Sequence, residues 1–155
     1  MKSLFLFISL FLSSAFVKAQ LIGEIHNENR GPLRIIGSNK IKQDCNIGDI
    51  VEAVFYIQNT SADTVFIGQV APDCQCTQYE YSSKGIAPNA TDSITLFFMS
   101  EHTPPGPYFK RNIVDYDDTS FELIIEGNLT IVRNIIRAGQ RPILYQKKQI
   151  RVKNN

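Results

Sequence analysis

The chain is predicted to fold as an all-β domain, and three observations carry that prediction. Between about Lys40 and Val132, apolar residues recur at every second position in short runs, the period of a strand with one buried face. Each run is bounded by clusters of Asn, Asp, Ser, Thr, Gly or Pro, which favour turns over extended pairing. No stretch of this body keeps apolar residues at a 3.6-residue spacing, so little helix is expected.

Taken in order, Lys40 to Cys45 reads as an opening strand. From Asp49 to Gln58, the residues Val51, Ala53, Phe55 and Ile57 share one face, and Asn59 to Asp63 is a turn by composition. Thr64 to Val70 is the next strand, followed by Thr77 to Tyr81 with Tyr79 and Tyr81 on one face. Pro88 to Thr91 turns the chain into Ser93 to Met99, where Ile94, Leu96 and Phe98 point inward. Thr103 to Pro107 holds three prolines, which lack a donor and fix φ, so neither strand nor helix is expected there. Tyr108 to Tyr116, the turn Asp117-Asp118-Thr119 and a long strand with Phe121, Leu123 and Ile125 complete the body. About seven strands is the number of an immunoglobulin-like antiparallel β-sandwich, and the lack of tryptophan excludes the antibody type with its buried Trp.

The ends differ from the body. Residues 1–19 combine a basic start, an apolar run from Leu4 to Phe16 and small residues before Gln20, the pattern of a secretory signal peptide. That run is shorter than the ~20 apolar residues a membrane helix needs, so no transmembrane span is expected in the mature chain. Export to the periplasm, to the outer envelope or beyond the cell follows as an expectation. The remaining 136 of 155 residues suffice for one domain with a sizeable core. They divide into an irregular lead-in (20–39), the sandwich (40–132) and a basic extension (133–155).

From Gln20 to Val132 there are seven Lys/Arg and fifteen Asp/Glu; from Arg133 onward there are seven basic residues and no acid. Arg133, Arg137, Arg141, Lys147, Lys148, Arg151 and Lys153 are therefore candidate partner-binding residues for an envelope protein or an anionic envelope component. They equally suit contact with the acidic body, or a solvated tail. Export and the acidic body argue against nucleic acid. Ile143 to Val152 alternates apolar and basic residues as a donated or self-pairing edge strand does. If the extension is a docking element, loss of residues 133–155 is expected to abolish complex formation while leaving the domain's melting curve nearly intact.

Asp73-Cys74-Gln75-Cys76-Thr77 carries the most chemistry. Three cysteines in an exported chain allow one disulfide among Cys45, Cys74 and Cys76. On an extended strand the Cα atoms of Cys74 and Cys76 would lie roughly 6.5 Å apart, the far limit for a bridge, so a bond to Cys45 is sterically easier. The same thiols could hold Cu(I) or Zn(II), with Cys45, Met99 or a histidine as third ligand. The Cys-x-x-Cys spacing of a thioredoxin-type redox site is absent. No nucleophile elbow, zinc-protease, P-loop or dinucleotide fingerprint occurs, so enzyme activity has no positive support and no cofactor is required. Thr64 and Ser93 each follow an Asp and precede an apolar residue, as in the O-glycosylation motif of some exported bacterial proteins.

Several anchors occur in a fixed order. They are Asn59-Thr60, Val65-x-Ile67-x-x-Val70 before Cys74-x-Cys76-Thr77, Ile86-x-Pro88, Ile94-x-Leu96-x-Phe98, Gly106-Pro107-Tyr108-x-Lys110 and Leu123-x-Ile125-x-Gly127. From Lys40 to Leu129 the chain thus resembles the bacterial domain-of-unknown-function family 1573, whose hallmark is a Ser-Cys-Gly-Cys-Thr segment after a strand. The resemblance implies an extracytoplasmic immunoglobulin-like sandwich and no established activity. Here Asp73 and Gln75 replace the family's serine and glycine, and Asn112 stands where an apolar residue is usual. The expected function is a non-catalytic module acting by protein–protein contact or as an envelope component. The alternative is a thiol-based copper or zinc protein, or a redox protein, centred on Cys74 and Cys76.

Overall fold

The computed structural model describes residues 31–132 and 146–154. The strands are β1 (Leu33–Ile35), β2 (Lys40–Lys42), β3 (Cys45–Asn46), β4 (Ile50–Asn59) and β5 (Ile67–Pro72). They continue as β6 (Thr77–Tyr81), β7 (Thr91–Met99), β8 (Gly106–Tyr116), β9 (Thr119–Thr130) and β10 (Gln149–Lys153), with a 3-10 turn at Ser100–His102. One sheet runs β1-β4-β7-β6, with β10 also on β4; the other runs β2-β9-β8-β5, with β3 also on β9. The all-β immunoglobulin-like sandwich is therefore present.

Alternation builds the core. Val51, Ala53, Phe55 and Ile57 of β4, with Ile94, Leu96 and Phe98 of β7, face Val114 and Tyr116 of β8 and Leu123 and Ile125 of β9; all are at most 1% exposed. Each large side chain buried this way contributes ~1.5–3 kcal/mol. That drive fixes the register, because a one-residue slip would turn the whole set outward. Asn112 keeps this phase: it is fully buried, and its Nδ2 donates to the Leu123 carbonyl at 3.1 Å.

Ten described strands stand where about seven were expected, and the additions are short edge pieces. Three of the pairings are parallel: β2 and β3 on β9, and β10 on β4. The lead-in supplies β1, which pairs with the C-terminal half of β4. Thr64 to Val70 is only partly a strand. Val65 makes an isolated bridge to Ile86, and regular pairing runs from Ile67 to Pro72 with a register shift at Ile67/Gln69. Pro107 lies inside β8, against expectation. It is tolerated because β5 pairs with β8 only from Asn112 onward, so no described strand needs its missing N–H.

The C-terminal extension packs on its own domain. β10 runs parallel to β4, with Gln149 opposite Ile50 and Lys153 opposite Val54, and half-buries Ile150 and Val152 against the core. Asp49, 1% exposed, receives the Lys148 N–H on Oδ1 at 2.9 Å, and the Ile50 N–H bonds the Lys148 carbonyl at 2.9 Å. Asn154 closes the far end. Its Oδ1 accepts the Tyr56 N–H at 2.9 Å, and its Nδ2 donates to the Ile36 and Ser38 carbonyls at 2.7 and 3.1 Å. These bonds tie residues 148–154 of the extension to the sandwich.

Candidate functional site

The segment between β5 and β6 carries the chain from one sheet to the other. Asp73 extends the β5–β8 ladder by one rung: its N–H bonds the Arg111 carbonyl at 3.0 Å and its Oδ2 accepts the Arg111 N–H at 3.1 Å. The chain then turns, with the Thr77 N–H on the Cys74 carbonyl at 3.3 Å. The Cys76 carbonyl accepts the Met99 N–H at 2.8 Å, which starts the β6–β7 ladder. Cys74, Gln75 and Cys76 thus occupy a corner, not a strand face as the sequence pattern suggested.

That corner brings the sulfurs of Cys74 and Cys76 together as a close pair, with Cα atoms 5.2 Å apart. The turn removes the objection an extended strand raised, because it draws the two Cα atoms inside bridging range. Cys45 takes no part. It is 5% exposed in β3, opposite Leu129, and its thiol is pushed up from its ordinary pKa chiefly by burial. The structure thus brings Cys74 and Cys76 within reach of one another and leaves Cys45, for which the sequence made a bridge sterically easier, buried in the core.

An open concavity of about 650 Å³ lies against the corner, lined among others by Cys74, Cys76, Met99, Glu101, His102 and Lys110. The 3-10 turn swings His102 and Glu101 over it, and β8 contributes Lys110, whose Nζ also sits 5.4 Å from the Phe98 ring centroid. Of the ligands expected from sequence, the structure gathers Cys74, Cys76, Met99 and a histidine, and leaves out Cys45. Among the described residues, no group of three or more His, Cys, Asp and Glu is poised to hold a metal ion. Glu101 carried no signal in the sequence and Lys110 stood out only as an anchor of the family resemblance, since only the crossing of the sheets brings them to this corner.

On β6 the rings of Tyr79 and Tyr81 stack at 6.0 Å, and Tyr79 is 42% exposed. Tyr108 is buried against Phe98, its hydroxyl donating to the Gln43 carbonyl. Burial raises the Tyr108 pKa far above the ordinary value.

The other sequence candidates scatter. Lys147 pairs with Glu101 at 2.8 Å, Arg151 with Glu52 at 3.1 Å, and Lys153 lies over the Tyr56 ring at 5.6 Å. Lys148 is exposed, while Arg133, Arg137 and Arg141 lie outside the described residues, as do the signal segment and His26. Thr64 is exposed on a loop, whereas Ser93 is half-buried inside β7 opposite Tyr56. No described helix is long and apolar enough to cross a membrane.

Comparison with solved structures gives likeness of fold. A family 123 glycoside hydrolase from Clostridium perfringens is 11% identical with a TM-score of 0.55, over 64% of this chain and 24% of that one. The chain thus spans about a quarter of that hydrolase. The ASH/PapD-like domain 7 of human CEP192 is 10% identical with a TM-score of 0.52, over 66% of this chain and 87% of that domain. No curated protein matches the chain. A family profile described as "Protein of unknown function (DUF1573)" matches residues 25–129, well over half the sequence, and the chain belongs to that family.

Proposed function

We propose that this protein is an exported, non-catalytic interaction module of the periplasm or outer envelope, which binds an extended protein segment along β6. The observation that carries this reading is the state of the β6 edge. The Met99 N–H donates to the Cys76 carbonyl, so hydrogen-bonded pairs alternate from there through Gln78 and Glu80. Thr77, Tyr79 and Tyr81 fall at the other positions, where N–H and C=O turn away from β7. No described strand covers that side of β6.

An added strand would meet the outward amides of Tyr79 and Tyr81, with the stacked rings supplying apolar area and side-chain selectivity. The likeness to a PapD-like domain fits binding rather than catalysis. Basic residues of the tail are a weaker choice of docking surface, since Lys147 and Arg151 already meet carboxylates of their own domain.

The test uses the mature chain with a photo-crosslinking residue at position 81, in its native envelope. A discrete adduct is expected, and Tyr79→Pro, which removes an outward N–H that β7 does not use, should abolish it while the circular dichroism spectrum stays that of a sheet protein. An adduct that survives Tyr79→Pro removes strand addition from consideration.

A further inference from the structure

We propose that the concavity at the β5–β6 corner is a redox-gated site for Cu(I), closed while Cys74 and Cys76 form a disulfide and opened when a dithiol reductant separates them.

The bond is poorly suited to a structural role. On the chain-entropy relation, closing a three-residue loop stabilises far less than closing the ~30-residue loop of a Cys45 bridge would. The corner also holds its shape by other means. The two Asp73–Arg111 bonds, the Thr77–Cys74 bond and the Met99–Cys76 bond all bypass the sulfurs. Both cysteines are half-buried and border the concavity, so a reductant can reach them. Disulfides within reach of solvent are the ones open to thiol exchange.

Opening the pair yields soft donors. Met99 stands directly opposite Cys76 across the antiparallel ladder, and side chains at such positions share a face with Cβ atoms ~4.5–5.5 Å apart. The thioether of Met99 and the imidazole of His102 line the same concavity as the two sulfurs. Thiolate and thioether select Cu(I) over hard cations. Glu101, the hard oxygen donor here, is held by Lys147 at 2.8 Å. The Lys110 ammonium at the concavity opposes the net negative charge of a bis-thiolate Cu(I) centre.

The chemistry balances. One thiolate of the reductant attacks a sulfur of the pair, and its second thiol resolves the mixed disulfide. The reductant ends as a disulfide, while Cys74 and Cys76 each gain one electron and one proton as thiols. Cu(I) then forms two Cu–S bonds and releases both protons to water.

The experiment titrates Cu(I), held by the chromophoric competitor bicinchoninate, into the mature chain before and after anaerobic reduction by a phosphine. The reduced chain should withdraw one equivalent of copper and the oxidised chain none. Cys74→Ser with Cys76→Ser should abolish uptake, Cys45→Ser should leave it unchanged, and Met99→Leu should weaken it roughly tenfold. The proposal is overturned if the reduced chain takes no copper, if the oxidised chain binds equally, or if Cys45→Ser abolishes uptake. It is also overturned if Met99→Leu keeps full affinity, or if reduction alone destroys the sheet signal in circular dichroism. Loss of crosslinking at β6 has no bearing on these outcomes.

Discussion

Asn154→Ala tests the C-terminal strand most directly. The residue is next to last in the chain, where a substitution ordinarily does nothing, yet its side chain makes three hydrogen bonds and is 5% exposed. Alanine would remove the acceptor of the Tyr56 N–H and the donor to the Ile36 and Ser38 carbonyls, at 2.9, 2.7 and 3.1 Å. A buried bond contributes about 1 kcal/mol, and a group left unpaired costs more, so three bonds amount to roughly 3 kcal/mol. Partial relaxation of the site lowers this to about 2–3 kcal/mol. For a domain of this size each kcal/mol corresponds to roughly 3–4 °C, so the melting temperature should fall by about 8 °C. Urea and thermal unfolding followed by circular dichroism measure both numbers. Lys153→Ala is the control: the residue is exposed, its ring contact with Tyr56 is 5.6 Å, and its effect should stay within about 0.5 kcal/mol. If Asn154→Ala matches the wild type, or if Lys153→Ala costs as much, the tail is not anchored by this amide.

Gly127→Ala should cost about 3 kcal/mol or more, because a Cβ there would overlap the Gln43 carbonyl that Tyr108 also bonds; chemical unfolding that shows less than 1 kcal/mol would contradict the close approach of β9 to the Lys42–Asp44 backbone. The buried thiol of Cys45 and phenol of Tyr108 are both raised from ordinary values of 9.0 and 10.0, chiefly by burial. Folding therefore favours their protonated forms: the stability they contribute is complete below about pH 9 and is lost as pH rises above it, since the unfolded chain releases those protons first. Urea unfolding over an alkaline pH series should show this decline, less steep at its onset in Cys45→Ala; stability that rises with pH would reverse the argument.

Much of the sandwich was legible because the period of apolar residues is a local property. Val51, Ala53, Phe55 and Ile57 announce a buried face whatever surrounds them, and Ile94, Leu96 and Phe98 do the same. Short edge strands are not local in this sense. Leu33–Ile35 and Cys45–Asn46 offer two or three residues, too few to show a period, and exist because β4 and β9 present edges to pair with. Gln149–Lys153 did show its alternation, but which strand it joins depends on Asp49 and Asn154, residues separated by most of the chain.

The corner misled for a different reason. Cys-Gln-Cys after an alternating run reads as more strand, whereas the Asp73 carboxylate on the Arg111 amide ends β5 and turns the chain. One side-chain bond across 38 residues changed which cysteines can meet. The soft-donor set was half legible for the same reason. Met99 and His102 lie close in sequence to one another but more than twenty residues from the cysteines, and only the β6–β7 register unites the groups.

Edges decide where such a fold can be met by another chain, since unpaired N–H and C=O groups on a sheet invite further strands unless they are covered, bent or charged. Here the outer side of β4 is covered twice, by β1 on one half and β10 on the other, and that of β9 by β2 and β3. The β5 edge is broken by the shift at Ile67/Gln69 and ends in Pro72. Two described edge strands, β6 and β10, keep regular five-rung ladders with a bare outer side. β10 carries Arg151 and Lys153, charges that discourage pairing, whereas Glu80 is the sole charge of β6. A chain that spends its own C-terminus on sealing β4 while leaving two stacked tyrosines beside outward amides has an asymmetry that stability alone does not account for. The proposed binding at β6 would account for it, because an edge with little charge and a regular ladder gives an incoming strand one favoured place and register.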